Sequence, residues 1–329
     1  MANVMVNVCG EEREYPAGTQ LLEVAEEYKK IFRYDIALAM VDNKLSELTK
    51  ALKPNSKIKF VTVGETCGNQ AYRRSVTLLM LKAFYDVCGE QNIDKITVEF
   101  SLSKGYYCTL KGNVKLTREL LMSVKKHMSQ MVFQNLPIVK STIPTNEAIE
   151  RFKKNNMPDK EKLFSFRRSS MVNVYSLNGF ENYFYGYMLP STGYLKYFEL
   201  YPYDEGFVLQ MPVKESPETV PAFKPQNKLF NVLKESTSWG RMMGVDTVGA
   251  LNQEISKGNI NDIILIQEAL QEKRIALIAQ EIDERPNVKF VMVAGPSSSG
   301  KTTFAHRLAI QLKTLGKKVH TIAVDDYFV

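Results

Sequence analysis

The stretch Gly295-Pro296-Ser297-Ser298-Ser299-Gly300-Lys301-Thr302 constrains what this chain can fold into more than any other. It fits the phosphate-binding pattern G-x-x-x-x-G-K-[ST], which has physical meaning only between a strand and a helix. Both neighbours are predicted. An apolar run (Val288, Phe290, Val291, Val293, Ala294) precedes the loop, and a helix-like segment from Thr302 to Leu315 follows it. The glycines let the backbone turn and bring successive N–H groups toward phosphate oxygens, while the helix N-terminus adds unpaired donors and the positive end of its dipole. On this reading Gly295, Ser297, Ser298, Ser299, Gly300, Lys301, Thr302 and Thr303 cradle the phosphates of ATP. Lys301 meets the β/γ-phosphates and Thr302 holds Mg²⁺ through its hydroxyl. The alternative is a serine-rich turn that binds nothing.

A chain of 329 residues has room for about two or three domains. With 44% hydrophobic and 24% charged residues it can bury real cores, which argues against wholesale disorder. The net charge of +7 is mild at this length. Lys125-Lys126-His127, Arg167-Arg168 and Lys317-Lys318 either meet RNA phosphates or lie on solvated faces. Cys9, Cys67, Cys88 and Cys108 form no C-x-x-C pair and read as free thiols of a reducing compartment. With only His127, His306 and His320 besides, no zinc site is expected. No apolar run approaches the ~18 residues of a membrane span, and the start Met1-Ala2-Asn3-Val4 lacks a signal peptide's regions, so a cytoplasmic location is expected.

From the front, Val4, Val6 and Val8 alternate, Pro16-Ala17-Gly18-Thr19 makes a turn, and Thr19 can cap a helix with an apolar face of Leu21, Leu22, Ala25 and Tyr28. An apolar run from Ile36 to Val41, a turn at Asp42-Asn43 and a strand through Ile58 and Phe60 complete a small α+β unit over 1–64. Within 65–211, Leu120, Leu121, Val124, Met128, Met131 and Val132 recur at helical spacing. The aromatic-rich stretch from Phe180 to Phe207 is either a base-stacking surface or the core of a β-rich region.

Pro212, Pro217, Pro221 and Pro225 mark a stiff connector, beginning a linker and helical segment over 212–286. Trp239 is placed in a loop-like stretch. Asp246 starts one helix that Gly258 ends, and Asn261 caps another with a stripe of Ile263, Ile266, Leu270, Leu277 and Ile278. In 287–329, Gly316 ends the helix after the glycine loop, and Val319 to Val324 reads as a parallel strand finishing at Asp325. A carboxylate there lies where open α/β sheets bind ligands, or else is a turn residue without chemistry.

Family resemblances sharpen this outline. Tyr15-Pro16-Ala17-Gly18-Thr19, the helix after it and Ala39-Met40-Val41-Asp42-Asn43-Lys44-Leu45 with Glu47-Leu48 resemble a TGS domain, a β-grasp module. That likeness implies ligand or RNA binding, with a packing role as the alternative. Arg73-Arg74-Ser75, Lys104-Gly105-Tyr106-Tyr107, Asn135-Leu136-Pro137-Ile138, Glu147-Ala148-Ile149 and Pro190-Ser191-Thr192-Gly193 resemble the second accessory, or editing, domain of threonyl- and alanyl-tRNA synthetases. Such domains edit with two His and a later Cys and His. Here those positions fall on Arg74, Leu78, Phe184 and Met188, so editing hydrolysis is not expected, while the cleft survives with Arg74 as a phosphate or carboxylate clamp.

The glycine loop with Val324-Asp325-Asp326-Tyr327-Phe328 resembles the uridine kinase and phosphoribulokinase family. The likeness implies that Asp325 takes the proton of an acceptor hydroxyl, Phe328 helps hold the acceptor, and Lys301 with Mg²⁺ spreads the charge of the γ-phosphoryl group. The whole order is similar to a bacterial family of fused nucleoside kinases. It implies an α+β multidomain chain with a β-grasp module, a synthetase-accessory domain, a helical connector and the start of a P-loop α/β kinase domain. Relatives of that family continue well past the position of Phe328 and place a third strand between the two read here. The expectation is therefore an ATP-dependent kinase of nucleosides or sugars whose portion here is inactive, with a frayed or edge-borrowing end. The alternative is a regulatory protein that binds RNA, tRNA included, or a small ligand through its front half.

Overall fold

The computed structural model describes residues 3–323. The chain divides into two compact units, Met1–Gly249 and Ala250–Val329. It is an α+β multidomain chain with mixed sheets.

The first unit opens with β1 (Asn3–Val8) and β2 (Glu11–Pro16), then α1 (Leu21–Tyr28), β3 (Ile36–Val41), β4 (Lys44–Glu47) and β5 (Lys57–Thr62). They form one sheet in the order β2-β1-β5-β3-β4. Only β1 and β5 run parallel, with Val8 beside Ile58; the other neighbours are antiparallel. The alternation read in β1 is present: Val6 and Val8 are buried with Leu21, Val24 and Ala25 of α1. The cap of α1 is one residue later than expected. Gln20 takes the position, and its N–H donates to Glu23 Oε1 at 2.8 Å, while Thr19 closes the preceding turn onto Pro16.

Next come α2 (Thr66–Cys88), the hairpin β6 (Ile93–Leu102) and β7 (Gly105–Gly112), α3 (Arg118–Gln134), β8 (Ile138–Pro144), α4 (Thr145–Lys154), α5 (Pro158–Ser165), β9 (Met171–Leu177), β10 (Phe180–Asn182), β11 (Glu199–Tyr203) and β12 (Gly206–Gln210). The last two pair with the hairpin as β11-β12-β7-β6, and a smaller sheet runs β10-β9-β8. α3 follows the sequence closely. Thr117 Oγ1 accepts the Leu120 N–H at 3.2 Å, and Asn135 stops the helix in the left-handed region.

α2 is the axis of this unit. Leu78, Leu79, Met80 and Phe84 are fully buried among residues from both sheets, from α3 and from the β-grasp strands, including Ala37, Leu38 and Val61. Gly68 allows the helix start to cross the end of β5, since a Cβ there would stand 2.0 Å from the Thr62 carbonyl oxygen. The aromatic-rich stretch is divided between core and surface. Phe198 and Phe207 are core residues, whereas Tyr185 is 84% exposed.

After the proline connector, α6 (Asn227–Met242) packs Phe230 against Leu102, Tyr107 and Val208. Trp239 therefore lies in a helix and not in a loop: the Ser/Thr-rich run that suggested a turn is carried by helical neighbours, with Thr237 and Ser238 donating to carbonyls one turn back. α7 (Val248–Ser256) stops before Gly258, which has φ +87.

The second unit contains α8 (Ile260–Asp283) and α9 (Lys301–Thr314). Asn259 rather than Asn261 precedes α8, and the buried positions are Ile275 and Ala279, not the expected stripe: Ile266, Leu277 and Ile278 are exposed. Among the described residues, neither 288–294 nor 319–323 is a strand, contrary to both sequence readings. Their β-forming residues find no ladder, and a strand without a neighbour leaves every backbone group to water. The start of a parallel α/β kinase sheet is thus not formed. No described helix is long and apolar enough to cross a membrane.

Candidate functional site

Of the synthetase-like landmarks, Arg73-Arg74-Ser75 of α2 meets the loop 183–188 and Leu189. α2 begins well before Arg73-Arg74-Ser75 and so places these residues on its third turn. Lys140 of β8 and Tyr175 of β9 lie beside that loop. Arg74 Nη1 donates to the Tyr187 carbonyl at 3.0 Å. Gly186, at φ +120, lets the backbone lie against that guanidinium, because a Cβ would stand 2.5 Å from Arg74 Cζ. Ser75 Oγ donates to the Ala71 carbonyl at 2.8 Å and accepts the Leu189 N–H at 2.9 Å. Arg74, expected as a free clamp for anions, therefore has one nitrogen engaged in shaping the loop.

Three residues that sequence reasoning missed hold this loop. Glu47, at the end of β4, accepts from Tyr175 Oη at 2.6 Å, from the Met188 N–H at 3.0 Å and from Lys140 Nζ at 3.0 Å. Tyr175 Oη also lies 2.7 Å from the Gly186 carbonyl. Burial, and then the hydrogen bond to Glu47, push the Tyr175 phenol well above its ordinary range, so it stays a neutral donor. Lys140 Nζ sits 5.4 Å from the Tyr175 ring centroid and 5.7 Å from that of Tyr187. No local signal in the sequence marks Glu47, whose partners come from far along the chain.

Two further cations lie against rings. Arg73 stacks 4.5 Å from the Tyr106 ring centroid and donates to the Lys104 carbonyl. Arg167 lies 5.7 Å from the rings of Phe164 and Tyr183 and donates to Tyr183 Oη at 2.8 Å. At the positions of the editing ligands, Leu78 and Met188 are buried in the main core and Phe184 packs against it. None of the three can move a proton or bind a metal at useful strength. Among the described residues, no group of three or more His, Cys, Asp or Glu side chains is disposed to hold a metal ion.

The glycine loop lies in the second unit. Ser298 (φ +58) and Gly300 (φ +81) both adopt left-handed conformations, and a Cβ at Gly295 would meet Ser299 Oγ at 2.7 Å. Gly300 precedes α9 without any side-chain cap, so the first N–H groups of Lys301, Thr302 and Thr303 carry no side-chain acceptor from the capping position. Lys301 Nζ folds back to donate to the Pro296 carbonyl at 2.8 Å. Ser297 and Thr302 are exposed. Asp325 and Phe328, the expected proton acceptor and acceptor-binding aromatic, lie outside the described residues, as does Asp326.

No family model matches the chain. Curated relatives do. The chain is 32% identical over 194 residues to the threonine–tRNA ligase of Thermotoga neapolitana, covering 58% of this chain and 29% of that protein. It is 26% identical over 200 residues to that of Halalkalibacterium halodurans, covering 60% and 31%. For Syntrophomonas wolfei the identity is 25% over 188 residues, covering 57% and 29%. The chain thus spans less than a third of the length of these relatives.

These matches correct the expectation of a uridine kinase-like nucleoside kinase. The relatives found are tRNA ligases over more than half of the chain, not phosphotransferases.

Proposed function

We propose that the front of the chain binds RNA of the tRNA class and holds it without editing hydrolysis. The single observation that carries this reading is the similarity to threonine–tRNA ligases over 58% of the chain. We read 1–64 and 65–211 as its two modules, with the cleft in the second. Cation–ring pairs support the reading: Arg73 on Tyr106, Arg167 on Tyr183 and the exposed Tyr185 offer phosphate contacts beside stacking faces. Leu78, Phe184 and Met188 support binding rather than hydrolysis, because they supply neither a base nor a metal ligand.

Binding of a labelled tRNA, followed across salt concentrations, tests this. Log affinity is expected to fall linearly with log salt, Arg73→Ala and Arg167→Ala each to weaken binding by about tenfold, and Lys301→Ala to change nothing. A wild-type protein that binds no tRNA at about 50 mM salt sinks the proposal.

A second reading is favoured by the glycine loop, which we propose takes the phosphates of ATP. The left-handed Ser298 and Gly300 and the uncapped start of α9 fit an anion there. Lys301 would exchange the Pro296 carbonyl for the β/γ-phosphates, with Gly295, Ser297, Ser299 and Thr303 completing the cradle and Thr302 holding Mg²⁺. ATP with Mg²⁺ is expected to raise the melting temperature of the second unit, and Lys301→Ala to abolish the shift. No shift with the wild-type chain rejects it.

A further inference from the structure

We propose that Glu47 is a positioning residue of the cleft: a carboxylate supplied by the β-grasp module that fixes loop 183–188, so that seating the module and shaping the cleft are one event. This deepens the RNA-binding reading and rests on it for its functional readout alone.

Glu47 is distinctive in where its partners come from. Its side chain is only 4% exposed, and its three donors lie 93, 128 and 141 residues further along the chain. None belongs to the β-grasp sheet, in which β4 is held by backbone pairing with β3 from Leu38–Glu47 to Val41–Lys44. The module therefore has no need of this carboxylate for its own fold. Burying a carboxylate is costly unless donors surround it, and an apolar side chain would serve if filling space were the whole role.

The donors define what is held. The Met188 N–H binds Glu47 directly, and Tyr175 Oη, with one proton for two acceptors, sits 2.6 Å from Glu47 and 2.7 Å from the Gly186 carbonyl. Between them, the Tyr187 carbonyl is held by Arg74. Three consecutive loop residues are thus fixed by two clamps: Arg74 of α2 from within the accessory module, and Glu47 from the neighbouring one. The same carboxylate neutralises Lys140, keeping that ammonium over the Tyr187 ring and not drawn to a passing phosphate. The loop that forms the cleft wall is therefore set from outside its own module.

Amide hydrogen exchange on the full chain tests this in the absence of RNA. Glu47→Gln keeps the size and one acceptor but removes the charge. Exchange at Met188 and Leu189 is expected to accelerate at least about tenfold, while Ile58 and Phe60 of β5 keep their rates. Tyr175→Phe, which leaves the Glu47–Lys140 pair intact, should loosen the same amides from the other side. A merely structural role would instead accelerate exchange through both modules alike. Unchanged protection at Met188 overturns the inference, as does lost protection with unaltered tRNA affinity; loss of both, with affinity down about tenfold, supports it. If the wild-type chain binds no tRNA, the RNA reading falls alone, and selective loss of protection at Met188 still supports Glu47 as the residue that sets the loop.

Discussion

Two helices of nearly equal length, α2 with 23 residues and α8 with 24, behave in opposite ways. α2 is enclosed on almost every side, by β-grasp strands, by α3 and by the sheets of the first unit. α8 buries Ile275 and Ala279, packed with Leu308 and Leu312 of α9, and leaves Leu265 62% and Leu277 50% exposed. Both sequences are rich in apolar residues. Apolar content alone does not bury a helix; neighbours with matching faces do, and most helical stability comes from that packing.

The strongest test of the contrast is a pair of truncations. Phe84→Ala removes a fully buried ring whose centroid is 4.9 Å from that of Phe207, and a loss of about 3–5 kcal/mol is expected in urea unfolding. Leu277→Ala in α8 should stay within about 0.5 kcal/mol. Equal losses would break the comparison. Ser75→Ala sharpens it on the α2 side, because the buried Leu189 N–H would lose its acceptor, and about 1–3 kcal/mol should disappear.

How far these differences were legible depended on the range of the cause. α3 could be read from Leu120 to Val132 because its apolar period is local, as are the cap at Thr117 and the stop at Asn135 that the structure adds. β1, β3 and β5 were legible for the same reason, their apolar patterns and turns lying within a few residues. Glu47 was not, since its meaning lies in Tyr175, Met188 and Lys140, and nothing near it in sequence announces a buried carboxylate. The apolar run at 288–294 misled in the other direction: its residues favour a strand, but a strand is a property of a pair. The stripe of α8 failed likewise, since periodicity names a face without saying what covers it.

Two smaller effects refine the picture. Thr117→Ala should cost about 1 kcal/mol by removing the acceptor for the Leu120 N–H, measurable in the same unfolding experiment. The smallest is a pH effect on the docking of α6. Lys234 Nζ, 2.7 Å from Asp204 Oδ2, holds the Asp204 carboxyl below its usual range, helped by the Glu205 backbone N–H. The stabilisation is therefore complete above the unfolded carboxylate value of about 4 and is lost as pH falls through the depressed folded value. Acid titration of wild type against Asp204→Asn should show the extra loss only in the wild type.

Gly68 bears on how such a chain can be taken apart. Because α2 crosses β5 so closely there, Ala37, Leu38, Val61 and Val63 share one core with Val76 and Leu79. A cut near residue 64 would follow the border that sequence likeness suggests, yet leave one fragment with an open seam and the other with a hole. The two sides of that border share one core and should melt in a single transition. Fusion partners or reporters inserted at that border would divide a unit of cooperativity, not a hinge.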